Sequence, residues 1–589
     1  MREDTLNTIL CILILLSGTF TAWSIICPAP MKTSTPEIKG YTTDFWWDLN
    51  LKETPLNISI EANLTAYYEE KELWQVELYY TSEIYGGHEI KIYGVLLYPK
   101  GENNLPGILL VHGYENTLEQ MFPYARFLAS NNYAVLVIDE PGHGRSTSFP
   151  QPTPENIVNV TENPLGSYLA HATIAALRGL EVLRNQKFVN KFNLGICGFN
   201  MGGIISFIVG RLDWNVKAIV PIVASGNYLL AIASGGLANI MIPVEVRLSS
   251  KELIDFCRYF DVSAYAREIN KGILMLAGTN DEFIPLEAIN ETYSIIPSNK
   301  KFISLAPNWG HYLEYDGWEK LILKFFNTYL KKLGVLSKPR VFIEEINFQA
   351  TTAYYISLEQ PQNGKIFFRP ALLGFPWIES YKATIIFSIV PSGIEYYAAG
   401  ISDDTFETTT AVRITGKNAY LAPLVLIISI ALLLLKAENR KEIAIKIAYW
   451  LILLTSMFLP IVTVWDRFTL TLPHVIERYG VLLGIIQFAW ILILIGTAMT
   501  LIFTFKGRFI TASVIQLVIS LIAFLIAISV VRLREIAIPN IGFILPLATI
   551  IAVIIQRKRE KPKSESELIK VLPPVKKEEY EKYYRQYFD

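Results

Sequence analysis

Five short runs hold the residues most able to do chemistry: LLVHGY (109–114), DEPGHGRS (139–146), GFNMGG (198–203), GTNDEFIP (278–285) and NWGHYLEY (308–315). His311 carries an imidazole, which can take or give a proton near neutral pH. Asp281 carries a carboxylate. Asn200 offers a carboxamide, whose nitrogen is delocalised into the carbonyl and whose oxygen only accepts hydrogen bonds, so it is a poor nucleophile. Taken singly, each has a plain reading: His311 as a structural histidine, Asp281 as a turn residue. His112 and His143 stand beside glycines and read as turn residues, His171 as a packing or surface residue on a helix, and Arg145 as one half of a structural ion pair. The cysteines Cys11, Cys27, Cys197 and Cys257 show neither metal-ligand spacing nor a disulfide framework, and read as isolated thiols. No metal or cofactor is expected.

The elements that must position these groups follow from pattern. WQVELYYTSE and HEIKIYGVLLYP alternate like the two strands of a hairpin. PGILLVHGY and AVLVIDEPGHGRS are buried strands running into loops, with a helical stretch near Leu118–Ser130 between them. A helical pattern spans Tyr168–Leu183, and NLGICGFNMGG reads as strand, sharp turn and helix. Further strands fall at 218–223, 272–278 and 301–306, and a last helix at Gly317–Leu333. Strands alternating with helices imply a mostly parallel sheet covered on both faces.

With the five runs in this order on these elements, residues 75–334 resemble the α/β-hydrolase superfamily. The resemblance is strongest to the branch of acetyl-xylan-esterase-like, dienelactone-hydrolase-like and prolyl-oligopeptidase-like members. It implies that Gly198, Gly202 and Gly203 keep the strand-to-helix elbow on which the family carries its serine nucleophile. Here that position is Asn200, a residue type that tolerates positive φ. The resemblance makes Asp281 the family acid, His311 the family base, and the backbone N–H groups of Met201 and Tyr114 the oxyanion hole. No acyl-enzyme should form at Asn200 by the usual route. Cys197 lies three residues upstream inside the strand, and Ser206 nearly two helical turns on, so neither is well placed to substitute. A water activated by His311 is a further route. Deamidation of Asn200 to a carboxylate is another, slowed by the bulk of Met201.

Hydrophobic residues make up 51% of the 589-residue chain and the mean hydropathy is +0.32, too apolar for an ordinary soluble protein of this size. A net charge of −1 gives no pointer to nucleic acid. One apolar run covers Leu6–Cys27; five more lie at Ala419–Leu435, Ile447–Trp465, Tyr479–Phe505, Phe509–Val531 and Ile536–Gln556. About 20 apolar residues cross a bilayer core. These runs predict an N-terminal anchor or signal peptide (1–27) and a five-helix transmembrane bundle (419–556), with the anchor reading preferred. Lys436, Arg440, Lys441, Lys506, Arg508 and the RKREKPK run at 557–563 place their loops in the cytoplasm. Residues 28–418 then face outward, with sequons at Asn57, Asn63, Asn159 and Asn290 in keeping.

The remaining segments are a β-prone stretch (28–74), a β-sandwich-like module (335–418) and a charged cytoplasmic tail (557–589). The expected protein is a multi-pass, cell-membrane α/β-hydrolase-like chain of esterase or peptidase type, inactive or weakly active by the serine route. Membrane lipid and a small ester, peptide or glycan are its expected partners. Two alternatives stay open: a hydrolase of esters or peptides working through His311 and Asp281 with water or a shifted nucleophile, and a non-catalytic assembly or ligand-binding protein. The region 224–265, with Tyr228, Arg247, Phe256 and Tyr259, should shape the pocket.

Overall fold

The computed structural model describes residues 3–559 apart from 27–37, 237–240, 244–245, 350, 362, 373, 389–391, 403–404, 416–420, 460–461, 465–467, 471, 474, 476–488, 532–536 and 540. Its centre is one mixed sheet. The strands are β1 (Ser59–Tyr68), β2 (Lys71–Tyr85), β3 (His88–Pro99), β4 (Leu105–Val111), β5 (Ala134–Ile138), β6 (Val189–Phe199), β7 (Val216–Ile222), β8 (Gly272–Gly278) and β9 (Lys301–Ala306). They lie in the order β1-β2-β3-β5-β4-β6-β7-β8-β9. From β1 to β5 the pairing is antiparallel, with Leu73 opposite Pro99 in the expected hairpin. From β5 through β4 to β9 it is parallel.

The parallel strands are apolar on both sides because helices cover both faces. In β4, Ile108 and Leu110 enter the core on one face while Leu109 and Val111 enter the core on the other. The helices that matter below are α1 (Glu3–Ile26), α2 (Phe122–Ser130), α3 (Pro154–Val158), α4 (Tyr168–Arg184), α5 (Met201–Leu212), α6 (Tyr228–Ala233), α7 (Lys251–Phe260) and α8 (Val262–Ala266).

The sheet extends past the expected limits of the α/β unit at both ends. Upstream of residue 75, β1 forms its outer strand, and Trp46 enters the main core with its Nε1–H donating to the Tyr265 hydroxyl at 2.8 Å. Downstream, β9 is joined by the strand Thr405–Thr408, followed in the sheet by Ile394–Ser402, Gly364–Pro370 and Ile378–Tyr381. A separate three-stranded sheet, Arg340–Asn347, Thr352–Gln360 and Ala383–Ser388, packs Tyr354, Ile356 and Ile386 against Ile366, Ile394 and Tyr396 of that extension. The 335–418 region is therefore sandwich-like, but one of its two layers is continuous with the main sheet.

At the C-terminal end the helices are Leu421–Lys436, Arg440–Phe458, Ala489–Phe505, Phe509–Val531 and Ile541–Arg559. Two expected spans are shorter than the apolar runs suggested. The run 447–465 leaves the helix at Phe458, with Pro460 next but one in the chain, and Val462–Val464 is a strand. The run 536–556 begins its helix only at Ile541, because Ala537–Pro539 pairs with Val462–Val464. Residues 479–488 and the 557–589 tail beyond Arg559 lie outside the described residues.

Among the described residues, one helix is long and apolar enough to cross a membrane: Leu6–Ile26 in α1, with mean hydropathy 2.2. The apolar stretches at Leu421–Lys436, Ile493–Phe505, Phe509–Ala523 and Leu545–Gln556 are shorter, so length alone does not make this region the expected five-span bundle. Helix α1 packs on Leu421–Lys436 and Arg440–Phe458. Its Trp23 is fully buried, with ring centroids 5.7 Å from Phe458 and 6.0 Å from Phe375.

Candidate active site

The site forms where β6 ends and α5 begins. Asn200 occupies the turn with φ 52° and ψ −112°, a backbone shape that side chains with a Cβ rarely take. The residues two positions to either side, Gly198 and Gly202, are glycines because there is no room for anything else. A Cβ on Gly202 would lie 2.3 Å from the Val111 carbonyl oxygen, and one on Gly198 would lie 2.1 Å from the Gly202 oxygen. The Asn200 N–H donates to Ile222 O at 3.0 Å and the Gly202 N–H to His112 O at 3.1 Å, which ties the turn to β7 and to the end of β4.

Three expected site residues converge here. His311, on the loop after β9, stands with Nε2 2.6 Å from Asn200 Nδ2. Its Nδ1 faces both Asp281 carboxylate oxygens, at 2.9 and 2.8 Å. Asp281, on the loop after β8, is fully buried, and its Oδ1 also accepts the Phe283 and Ile284 N–H groups at 2.8 and 2.7 Å. That arrangement fixes the tautomer: Nδ1–H donates to Asp281, leaving the Nε2 lone pair toward the Asn200 amide hydrogen. The Asn200 carboxamide oxygen turns the other way and accepts the Tyr114 N–H at 3.3 Å. Of the two expected oxyanion donors, Tyr114 is therefore engaged by Asn200 itself, while Met201 begins α5 without such a bond to the carboxamide.

Glu282 was not singled out from the sequence. Buried beside Asp281, it accepts the His311 backbone N–H at 2.9 Å. Burial, and then the adjacent Asp281 carboxylate, push its pKa up to about 7, against the pull of His311. Phe283 and Phe199 flank the imidazole, with ring centroids 4.6 and 5.5 Å away. A glutamate directly after the acid carries no motif of its own, so the signal was the repeated carboxylate in GTNDEFIP and nothing more.

The other candidates fall outside. Cys197 is fully buried in β6 and burial pushes its thiol pKa up, which removes it as a nucleophile. Ser206 Oγ donates back to Gly202 O at 2.8 Å inside α5. Cys11, Cys197 and Cys257 are free thiols. His112 is buried: its Nδ1 bonds Gly113 O at 2.8 Å and its Nε2 accepts the Glu140 N–H at 3.1 Å, while burial lowers its pKa to about 3. His112, Glu140 and His143 bring possible ligand atoms within 4.8 Å of one another, but His112 Nε2 is already used by that N–H. Arg145 donates to Glu77 at 2.9 Å and lies over the Tyr93 ring, the structural pair expected of it, and His171 is buried on α4 with its Nδ1 2.8 Å from a Glu83 carboxylate oxygen.

A pocket of about 680 Å³ opens beside Asn200. Helices α6 and α7 contribute Tyr228, Ile232 and Phe256, and α5 contributes Ile204. Of the residues expected to shape it, Tyr228 and Phe256 line it; Tyr259 packs on Phe45 instead, and Arg247 is not in the lining.

The sheet, the glycine elbow and the imidazole held by a buried carboxylate define an α/β-hydrolase of the esterase type. Residues 33–327 match the acetyl xylan esterase family, and the chain belongs to that family. Among solved structures it is similar to an acetyl xylan esterase from Paenibacillus sp. R4 (21% identity, covering 50% of this chain and 97% of that one, TM-score 0.42). It is also similar to acetyl xylan esterase 1 from Thermoanaerobacterium sp. JW/SL YS485 (18% identity, 51% and 96% covered, TM-score 0.42). A Pyrococcus furiosus esterase gives 16% identity, 50% and 100% covered, and a TM-score of 0.31. No curated protein matches.

Proposed function

We propose that the chain is a membrane-attached member of its family that binds an ester-like ligand at this site and, with Asn200 in the nucleophile's place, does not turn it over by the serine route. The observation that carries this is the 2.6 Å contact of Asn200 Nδ2 with His311 Nε2. A serine there would offer a hydroxyl that the imidazole can deprotonate; the carboxamide presents a donor that yields no useful nucleophile. The carboxamide oxygen also sits on the Tyr114 N–H, where a substrate carbonyl would be polarised.

Attachment to a bilayer draws on the side chains of the helical region. Ile427, Leu435, Ile502, Leu525 and Ile551 point outward, while Thr497, Thr500, Thr504, Ser513 and Ser520 are buried. Apolar outside and small polar inside is the arrangement that suits hydrocarbon as solvent. In this reading several short helices pack around α1 and cross together, residues 28–418 face outward, and the basic start of the tail meets the cytoplasmic leaflet.

The test is hydrolysis of short acyl esters by the full chain and by its Asn200→Ser variant. Background rates for the natural chain and a gain for Asn200→Ser support the reading. A second reading, hydrolysis by a water that His311 activates, draws on the intact His311–Asp281 pair. Turnover by the natural chain that disappears in His311→Ala would favour it and contradict the first.

A further inference from the structure

The pocket beside Asn200 is unlike a sugar site. Among the described residues, its lining carries, apart from Asn200, only tyrosine hydroxyls as side-chain polar groups; the rest is Ile, Leu, Met and Phe. Among the described lining residues, no carboxylate, arginine or second amide is there to read a ring of hydroxyls. The space between its walls, its open mouth included, is about 680 Å³. An acetyl group would leave most of that apolar wall facing water.

Two further observations narrow the ligand. Tyr228 lines the pocket at 8% exposure, and its hydroxyl is buried with no hydrogen-bond partner among the described residues. A buried orphan donor of this kind is costly unless a ligand meets it. Phe283, another lining residue, packs both on the core of the α/β domain and on the core that α1 forms with the C-terminal helices. Helix α6, which carries Tyr228, lies against the strand Phe468–Leu470 between two of those helices. The pocket wall is thus shared with the most apolar part of the chain.

We infer that this pocket holds the aliphatic chain of a lipid-like ester, with the Tyr228 hydroxyl donating to one of its oxygens. The inference rests on the proposed function, since it names the ligand class of the same site. The chain lies along Ile204, Ile232 and Phe256, and the ester group sits at Asn200 and Tyr114.

The test uses the full chain in lipid nanodiscs and a fluorescent probe, the methyl ester of dansyl-labelled undecanoic acid, displaced by methyl butyrate, methyl octanoate, methyl laurate or acetylated xylobiose. Displacement should tighten by about fourfold per added methylene, the equivalent of about 0.8 kcal/mol. Ile204→Trp should abolish probe binding, and Tyr228→Phe should weaken it about fivefold, the equivalent of about 1 kcal/mol. Displacement that is flat with chain length, or acetylated xylobiose competing as well as methyl laurate, overturns the inference even if Ile204→Trp fails to fold. A membrane lipid and a water-borne ester share this chemistry. A photoactivatable diacylglycerol in the nanodisc and a soluble photoactivatable octanoyl ester separate them by which one labels the Tyr228 peptide; labelling by neither overturns the inference. The two readings fail separately. Asn200→Ser that cleaves acetyl esters while no long chain binds sinks the ligand class alone; probe binding without any gain in Asn200→Ser sinks the catalytic reading alone.

Discussion

Asn200 and His311 are joined by a hydrogen bond of 2.6 Å across 111 positions of sequence, between the elbow after β6 and the loop after β9. Asp281 holds the far side of the imidazole with both oxygens, at 2.9 and 2.8 Å. The relay is therefore assembled up to the last atom, and that atom is an amide nitrogen. The same carboxamide accepts the Tyr114 N–H, so one side chain occupies two positions that an esterase needs for its nucleophile and its substrate.

The elbow depends on glycine. Because a Cβ at position 202 would meet Val111 O at 2.3 Å and His112 O at 2.6 Å, Gly202→Ala must displace β4 or α5. The expected loss is roughly 1–3 kcal/mol, as for other overpacked cores. A lowered thermal unfolding temperature checks this; an unchanged one would mean that the turn relaxes freely.

Much of this was legible in the sequence, and the limits have physical causes. Asn200, Asp281, His311 and Tyr114 could be placed because their short runs, each following a strand, resemble in order and position those of the α/β-hydrolase superfamily. The hairpin and the parallel core followed from alternation and from unbroken apolar runs. Glu282 was not legible, because its role comes from burial against Asp281 and the His311 backbone, which no local pattern encodes. The continuation of the main sheet from β9 into Thr405–Thr408 was also hidden. It rests on a pairing a hundred residues apart, held by Ser304 Oγ donating to Phe406 O at 2.6 Å. Two of the C-terminal apolar runs, 447–465 and 536–556, were read as longer helices than they form, because hydropathy does not distinguish a helix end from an apolar strand such as Val462–Val464.

Glu282 makes stability depend on pH in a defined direction. Its folded pKa is raised from 4.5 to about 7, so the folded state binds the proton more tightly than the unfolded one. That contribution is fully present below about pH 4.5 and is lost as pH rises through about 7. Thermal unfolding of the natural chain should fall across this window, and Glu282→Gln should flatten the fall. An identical pH profile in the variant would contradict the assignment.

Helix α1 packs into the helical region as an integral element would. Trp23 is fully buried between Phe458 and Phe375, and Thr19 Oγ1 donates to Thr497 Oγ1 at 3.3 Å. Mass analysis of the mature chain purified from membranes should therefore find residues 3–26 retained. Trp23→Ala should destabilise the helical region by about 3–5 kcal/mol, as for other buried Trp truncations, read as easier unfolding or proteolysis. Recovery of a mature chain that begins after Ile26 would contradict this packing.

In the proposed reading, Asn200 alone separates this site from one that can be acylated. The most direct measurement is covalent labelling of the full chain by a serine-directed fluorophosphonate, with the natural chain, Asn200→Ser, and Asn200→Ser combined with His311→Ala side by side. The account predicts no label on the natural chain, a label on position 200 in Asn200→Ser, and its loss, by about 10²-fold or more in rate, when His311 is also removed. A label on the natural chain, or an Asn200→Ser variant that stays unlabelled while folded, would contradict it.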